Sequence, residues 1–386
     1  MNSRKRCFAI RLLAVVLLVA GTGCAAPKNA AENSAVRPVR TGFYVERGSR
    51  SSGVLFWAQL LAYSPQLKLV LLDAEDIRKN KLDGIDLLVV PGGSSNLQCK
   101  ALGPEGIGKV RDFVAKGGAY TGACAGFHCA LDKPDRLRLL PFEYRPGAGG
   151  GTAMLRVEIS EKGAKIMGIR PGIRWARYSH GPICRPKEEP GVSRGEVLGV
   201  YKSTIPRSNN QGGDFYDAPA VIFGQFGKGK VIATSFHPES RESTHDIALG
   251  CIYAVTGVRP VPVYPRKDPR PLRVGFCSPG IIGKYCVNAM LALDRKSGID
   301  VNFVDNQALC TDVLRHLDVL VVPHGAETAY KGMFTAEFLR TRLIEFMDRG
   351  GTILASGNGA LHLPAHARMH ALPPDADFAE ALSALR

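Results

Sequence analysis

The chain has 386 residues, 45% of them hydrophobic, with a formal charge of +15 and ten cysteines; the hydrophobic share is ordinary for a globular protein, and the length suits about two domains of roughly 150 residues. The cations are scattered, with no basic stripe interleaved with aromatics, so the charge does not make a nucleic-acid footprint; anionic lipid or cell-wall polymer is a sufficient partner for such a surface. There is no C-x-x-C pair and no His/Cys cluster at zinc spacing, so no structural metal and no cofactor are called for.

The first residues set the compartment. Arg4, Lys5, Arg6 and Arg11 border the apolar run Leu12 to Ala20, which gives way to small residues, the pattern of a secretory signal over residues 1–23. A spanning helix needs roughly 20 apolar residues, more than this run provides. The stretch "LVAGTGCAAPKN" resembles a bacterial lipobox: Gly23 and Cys24 fit, whereas Gly21 stands where Leu or Val is usual. That resemblance implies acylation of Cys24 and a lipoprotein anchored in the membrane, facing the periplasm or cell exterior, with a soluble secreted form as the alternative. Residues 24–37 read as a flexible spacer. Without the signal 363 residues remain, and the loss of its four cations lowers the charge to +11. Export makes disulfides permissible among Cys99, Cys124, Cys129, Cys184, Cys251, Cys277, Cys286 and Cys310, in a connectivity that spacing does not give.

Alternating short apolar runs and helix-like stretches then predict an α/β fold with a largely parallel sheet. "VRTGFYV", "LKLVLLD" and "IDLLVVPGG" read as strands, with "SGVLFWAQLLAYS" a helix between the first two. "GPEGIGKVRDFVAKGG" reads as an amphipathic helix, and "AYTGA" as the strand leading to Cys124. Continuous apolar runs such as "DLLVVP" suit strands buried on both faces. "TAMLRVEIS", "GEVLGVYK", "PAVIFGQFG" and "GKVIATSF" predict a mixed or antiparallel extension, and "STHDIALGCIYAVTG" a closing helix that completes a unit over 38–257. The proline-rich 258–271 reads as a semi-rigid linker. Residues 272–386 then repeat the first half: "LRVGF" echoes "VRTGF", "LDVLVVPHG" echoes "IDLLVVPGG", and Gly351 matches Gly118 at an offset of 233. In that match Gly357 replaces Cys124, so the second unit reads as a truncated, silent copy packed against the first.

Two motifs carry chemistry. In "YTGACAGFHCA", Gly122 and Gly126 leave room for Cys124 on a tight strand-to-helix turn whose thiol points at a helix N-terminus, where partial positive charge favours an anion. The plain alternative is a small buried cysteine filling a core. In "GKVIATSFHPES", His237 follows a strand, and Glu239 sits two residues on across the stiffening Pro238. A general base and its orienting carboxylate need that proximity, although a surface turn could hold the same tripeptide by chance.

Together G-x-C-x-G, the P-G-G of Pro91, Gly92 and Gly93, and H-P-E at 237–239 resemble the class I glutamine amidotransferase superfamily, a flavodoxin-like doubly wound fold. The run from "VVPGG" to "CAGFHCA" is similar, more narrowly, to the amidotransferase-like domain at the N-terminus of biotin–protein ligases. No biotin-ligase catalytic domain accompanies it. The resemblance implies Cys124 as nucleophile, His237 as base, Glu239 as its orienter, and an oxyanion hole from the backbone amides of Ala125 and of Gly92 or Gly93. It also places Tyr178 and His180 where the family lines its pocket, although His180 departs from the family pattern and would equally suit a polar loop. Cys99 and Cys129 fall one loop and one helical turn from Cys124, close enough for either to pair with it or with the other. The implied activity is hydrolysis or transfer of a small-molecule or peptide amide; the alternative is a non-catalytic ligand-binding or scaffold protein of the same fold.

Overall fold

The computed structural model describes residues 37–384 except 47, 50–51, 188–194, 209–210, 214, 278–281 and 326. The expected signal segment, Cys24 and nearly all of the expected spacer lie outside the described residues. Among the described residues no helix is long and apolar enough to cross a membrane.

The first part of the chain forms strands β1 (Val39–Tyr44), β2 (Leu67–Leu72), β3 (Leu87–Val90), β4 (Ala119–Ala123), β5 (Phe142–Gly149), β6 (Thr152–Ile159), β7 (Gly172–Ser179), β8 (Pro182–Pro186), β9 (Glu196–Tyr201), β10 (Ile205–Ser208), β11 (Gln211–Gly213), β12 (Pro219–Phe226) and β13 (Gly229–Thr234). Its helices are α1 (Ser52–Ala62), α2 (Ala74–Arg78), α3 (Ser95–Ala115), α4 (Ala125–Ala130), α5 (Glu161–Met167) and α6 (Glu242–Thr256). Beyond residue 271 come β14 (Leu272–Cys277), α7 (Lys284–Asp294), β15 (Ile299–Val304), β16 (Val319–Val322), β17 (Thr352–Ser356) and β18 (Met369–Leu372).

The main sheet runs β2-β1-β3-β4-β13-β12-β9-β6-β7. Its first five strands are parallel, in the doubly wound flavodoxin-like order, which places ligands at the carboxyl ends of the strands near β1 and β3. Period-two alternation buries both faces: Phe43, Leu87, Val89 and Ile232 point to one core, and Tyr44, Leu88, Val90 and Val231 to the other. The remaining strands of this sheet pair antiparallel. That extension curls. β7 stands five places from β4 in the order, yet Arg177 O accepts from His237 N at 2.9 Å and Ser179 O lies 3.5 Å from the Cys124 sulfur.

Sequence reading placed the start of α3 at Gly103, but helical turns already run from Ser95, capped by the Ser94 hydroxyl. Gly103, at φ 63, breaks the axis and Pro104 restarts it, because proline lacks the amide a helix interior needs. Strand β7, a stretch given no element from sequence, was missed because its larger apolar residues face outward: Ile173 is 42% and Trp175 57% exposed.

The second sheet runs β15-β14-β16-β17-β18, all parallel, the same order as β2-β1-β3-β4-β13. Strand β18, which the sequence reading did not place, stands where β13 stands in the first sheet. Val274, Phe276, Val319 and Val321 share one continuous core with Leu55, Ala58 and Leu61 of α1. The proline-rich segment is tied down across this junction: Val263 N donates to Tyr63 O at 2.7 Å, and Tyr264 stacks edge-on against Tyr63.

Asp294 closes the junction. It is 5% exposed, accepts from Gln59 Nε2 and Tyr63 OH, each at 2.7 Å, and pairs with Lys267 Nζ at 3.0 Å. Replacing it by alanine leaves the Gln59 and Tyr63 donors without their acceptor and takes the carboxylate from Lys267, which keeps the backbone oxygens of residues 294 and 296. Asp294→Ala is therefore expected to lower unfolding stability by about 2–3 kcal/mol, read as a fall in the urea midpoint. A loss below about 0.5 kcal/mol, the scatter of surface substitutions, would show that the carboxylate does not hold the junction.

Candidate active site

Cys124 sits between β4 and α4 at φ 52 and ψ −101, a region a non-glycine residue occupies at a cost of about 1–3 kcal/mol. The turn closes because its glycines touch backbone. A Cβ on Gly122 would lie 2.5 Å from Gly126 C, and one on Gly126 2.1 Å from Val90 O. Cys124 N donates to Thr234 O at 2.8 Å, which locks the elbow to the end of β13.

His237 leaves β13 three residues after its end, and Pro238 opens a single 3-10 turn that brings Glu239 back beneath it. His237 Nδ1 lies 2.8 Å from Glu239 Oε1, with the two residues 3% and 0% exposed. The turn is pinned from α6: Thr244 Oγ1 donates to Pro238 O at 2.8 Å, and His245 Nε2 lies 3.0 Å from Glu239 O. Sequence reading missed both, since neither carries a motif.

Two further glycines make room for the pair. A Cβ on Gly92 would lie 2.5 Å from His237 Cε1 and 3.5 Å from Cys124 Cβ, so imidazole and thiol flank one backbone position. A Cβ on Gly53, in the first turn of α1, would lie 2.4 Å from Glu239 Oε1. Gly53 was also missed, because only the fold brings α1 to the carboxylate. The chain thus brings Cys124, His237 and Glu239 to one end of the sheet, with Gly92 against them. Ala125, the first residue of α4, contributes an amide that has no partner within the helix. Gly93 follows at φ 141 and is exposed.

The pocket-lining candidates fall differently. Tyr178 is wholly buried, its hydroxyl donating to Gly181 O at 2.6 Å and accepting from Gly150 N at 3.0 Å. His180 is exposed, in a turn at φ 54. The eight cysteines in the described residues are free thiols. Among the described residues no group of three His, Cys, Asp or Glu side chains is placed to hold a metal.

Burial works against an imidazolium at His237, but the charges of Cys124 and Glu239 outweigh it and hold the ring up at about 10. A raised histidine stabilises the folded state fully below its ordinary value of about 6.5, and the contribution is lost as pH rises through about 10.

The second sheet has the same elbow without the thiol. Gly357, at φ 49, takes the place of Cys124. His324 takes the place of Gly92 in the P-H-G that replaces P-G-G, and a Cβ on Gly357 would lie 2.4 Å from His324 Nδ1. Tyr285, second residue of α7 as Gly53 is of α1, fills the corresponding space, its hydroxyl donating to Ala376 O at 2.9 Å. Where His237 and Glu239 follow β13, Asp375 and Asp377 follow β18.

A parallel sheet in flavodoxin-like order carries a cysteine elbow at one strand end and a His–Glu pair at the next. Residues 63–133 match the family described as Biotin-protein ligase, N terminal; the match spans P-G-G and Cys124 and stops before His237. A biotin–protein ligase of Schizosaccharomyces pombe is 30% identical over 169 residues, 40% of this chain and 25% of the ligase. The chain thus spans about a quarter of that relative's length. Among solved structures, a glutamine amidotransferase is 23% identical and covers 56% of this chain and 99% of its own, at a TM-score of 0.38. PurLQS from Thermotoga maritima is 14% identical over 56% of this chain and 98% of its own, at 0.41.

Two outcomes follow from this geometry. Gly53→Ala adds a better helix former to α1, ordinarily worth about 0.4–1 kcal/mol; here the new methyl displaces Glu239, so alkylation of Cys124 by iodoacetamide should slow about tenfold. An unchanged rate would show that the carboxylate does not act through His237. In the second, the His237 ring followed by NMR should titrate near 10 in the wild type and well below that in Cys124→Ser. A midpoint the variant leaves in place would break the coupling between thiol and imidazole.

Proposed function

We propose that this is an exported, cell-envelope cysteine amidohydrolase or amidotransferase. Cys124 adds through sulfur to an amide carbonyl, and its proton passes to His237. The carbonyl oxygen gains negative charge opposite the amides of Ala125 and of Gly92 or Gly93. Collapse breaks the C–N bond, and the leaving amine takes the proton from His237. The thioester left on Cys124 is then cleaved by water, or by an acceptor amine, that His237 deprotonates. Glu239 holds the ring and balances its charge throughout. Losing one oxyanion donor typically costs about 10² to 10³ in rate.

The observation that carries this reading is the pairing of a strained positive-φ cysteine with a His–Glu couple around Gly92. A peptide-like amide bearing negative charge suits the approach, because β7 leads to the thiol with Trp175 exposed and with Arg156 and Arg177 on the same face, paired across the strands with Trp175 and Met154. One observation favours the second reading, a ligand-binding or scaffold protein: Cys124 is only 5% exposed.

Turnover separates them. The full chain is incubated with a panel of γ-glutamyl and peptidyl amides, and amine release and acylation of Cys124 are followed by mass spectrometry. Catalysis requires a Cys124 acyl adduct that accumulates in the wild type, is absent in Cys124→Ala and forms at least about 10³-fold more slowly in His237→Ala. Binding of an amide without any adduct would establish the scaffold reading.

A further inference from the structure

A second pair of thiols lies outside this machinery. Cys99 of α3 and Cys129 of α4 have their sulfurs 3.3 Å apart, against about 2.0 Å in a disulfide. Both are buried, at 3% and 1% exposure, but they are not equivalent. Cys99 lines an open cavity of about 680 Å³ together with Asn96, Lys100, Arg111, Asp135 and Arg136, whereas Cys129 does not reach it.

The cavity is built for an anion. Arg136 is 93% buried; it donates through Nη2 to Asn96 Oδ1 and through Nη1 to Asp135 O at 3.1 Å. Its buried Nε has no hydrogen-bond partner among the described residues. Lys100 and Arg111 add two cations to the walls, against the single carboxylate of Asp135.

We propose that Cys99 and Cys129 form a redox-active dithiol that exchanges with anionic low-molecular-weight disulfides entering through this cavity. The Cys99 thiolate attacks one sulfur of R–S–S–R; that S–S bond breaks, and one R–S⁻ leaves and takes up a proton. Cys129 then gives its proton to solvent and attacks the Cys99 sulfur of the mixed disulfide, which expels the second R–S⁻. The protein dithiol is oxidised by two electrons to a disulfide joining α3 to α4, and R–S–S–R is reduced to two thiols. The division of roles follows from placement and charge. The hydrogen bond from Cys129, opposed by burial and assisted by Arg136, holds the Cys99 thiol below its usual range. The contact with Cys99 and burial push Cys129 well up, as suits a resolving thiol that acts second.

The test uses the reduced full chain in a Cys310→Ser background, which removes an exposed thiol, with glutathione disulfide as the probe. Non-reducing peptide mapping should give one linked pair containing Cys99 and Cys129. Cys129→Ser should stop at glutathione on Cys99, and Cys99→Ser should give neither product. Arg136→Gln should slow oxidation by glutathione disulfide about tenfold while leaving the rate with neutral hydroxyethyl disulfide unchanged. If either variant misfolds by circular dichroism, the peptide map of the parent chain decides alone. Two free thiols at 99 and 129 after treatment, or a linkage from Cys99 to Cys124, would overturn the proposal. The readout is thiol chemistry and stands apart from the outcome of any amide assay.

Discussion

Space at the carboxyl end of the main sheet governs this molecule. Three strand ends and the first turn of α1 converge there, and the side chains of Cys124, His237 and Glu239 occupy the same few ångströms because four glycines carry no side chain. The four act in two ways. Gly122 and Gly126 face backbone atoms, which cannot yield, so they fix the elbow. Gly92 and Gly53 face the imidazole and the carboxylate, so a side chain there would displace the functional groups and leave the fold standing. Burying the His–Glu pair is costly in desolvation. The cost is met by mutual pairing at 2.8 Å and by the backbone contacts that hold Pro238 and Glu239 to α6.

Closure of the site comes from the antiparallel extension. By curling, the sheet lays β7 across the ends of β4 and β13, so that carbonyls of Arg177 and Ser179 meet His237 and Cys124. The second sheet carries the five parallel strands and no such extension. An elbow thiol there would lack the second wall that covers Cys124. Its place has instead been filled from within: His324 occupies the space a side chain on residue 357 would need, and the Tyr285 ring stands at the helix position that Gly53 leaves open in the first sheet. Losing the thiol and gaining the imidazole are one packing change.

What could be read from the chain followed from local rules. The elbow showed in the glycine spacing around Cys124, the H-P-E couple in a rigid tripeptide, and the parallel order in unbroken runs such as "DLLVVP", because each is a constraint between near neighbours. The unread parts depend on distance along the chain. Gly53 lies 186 positions before Glu239, and nothing in α1 announces a carboxylate. Thr244 and His245 look like any first-turn residues of a helix. Strand β7 inverts the usual pattern by exposing Trp175, and β18 is short and carries a histidine, so neither shows the apolar run that marks β3 or β16. Tyr178 stands in the stretch of chain expected to line the pocket, but its hydroxyl is used to tie the turn before β6 at Gly150 to the turn after β7 at Gly181.

Helix α1 links the second sheet to the site. Its first turn carries Gly53 against Glu239, while Phe56 packs edge-on against Phe303 at 4.7 Å and Gln59 and Tyr63 are held by Asp294. The loop entering α1 is held as well, Ser49 O accepting from Ile282 N at 3.2 Å. A helix is stiff along its axis, so whatever sets its far end sets its first turn. The room left for the carboxylate therefore depends on contacts made with residues beyond 271. The second sheet shares the core on which α1 rests, and this gives it a physical part in the site: it positions the helix whose missing side chain lets Glu239 reach His237.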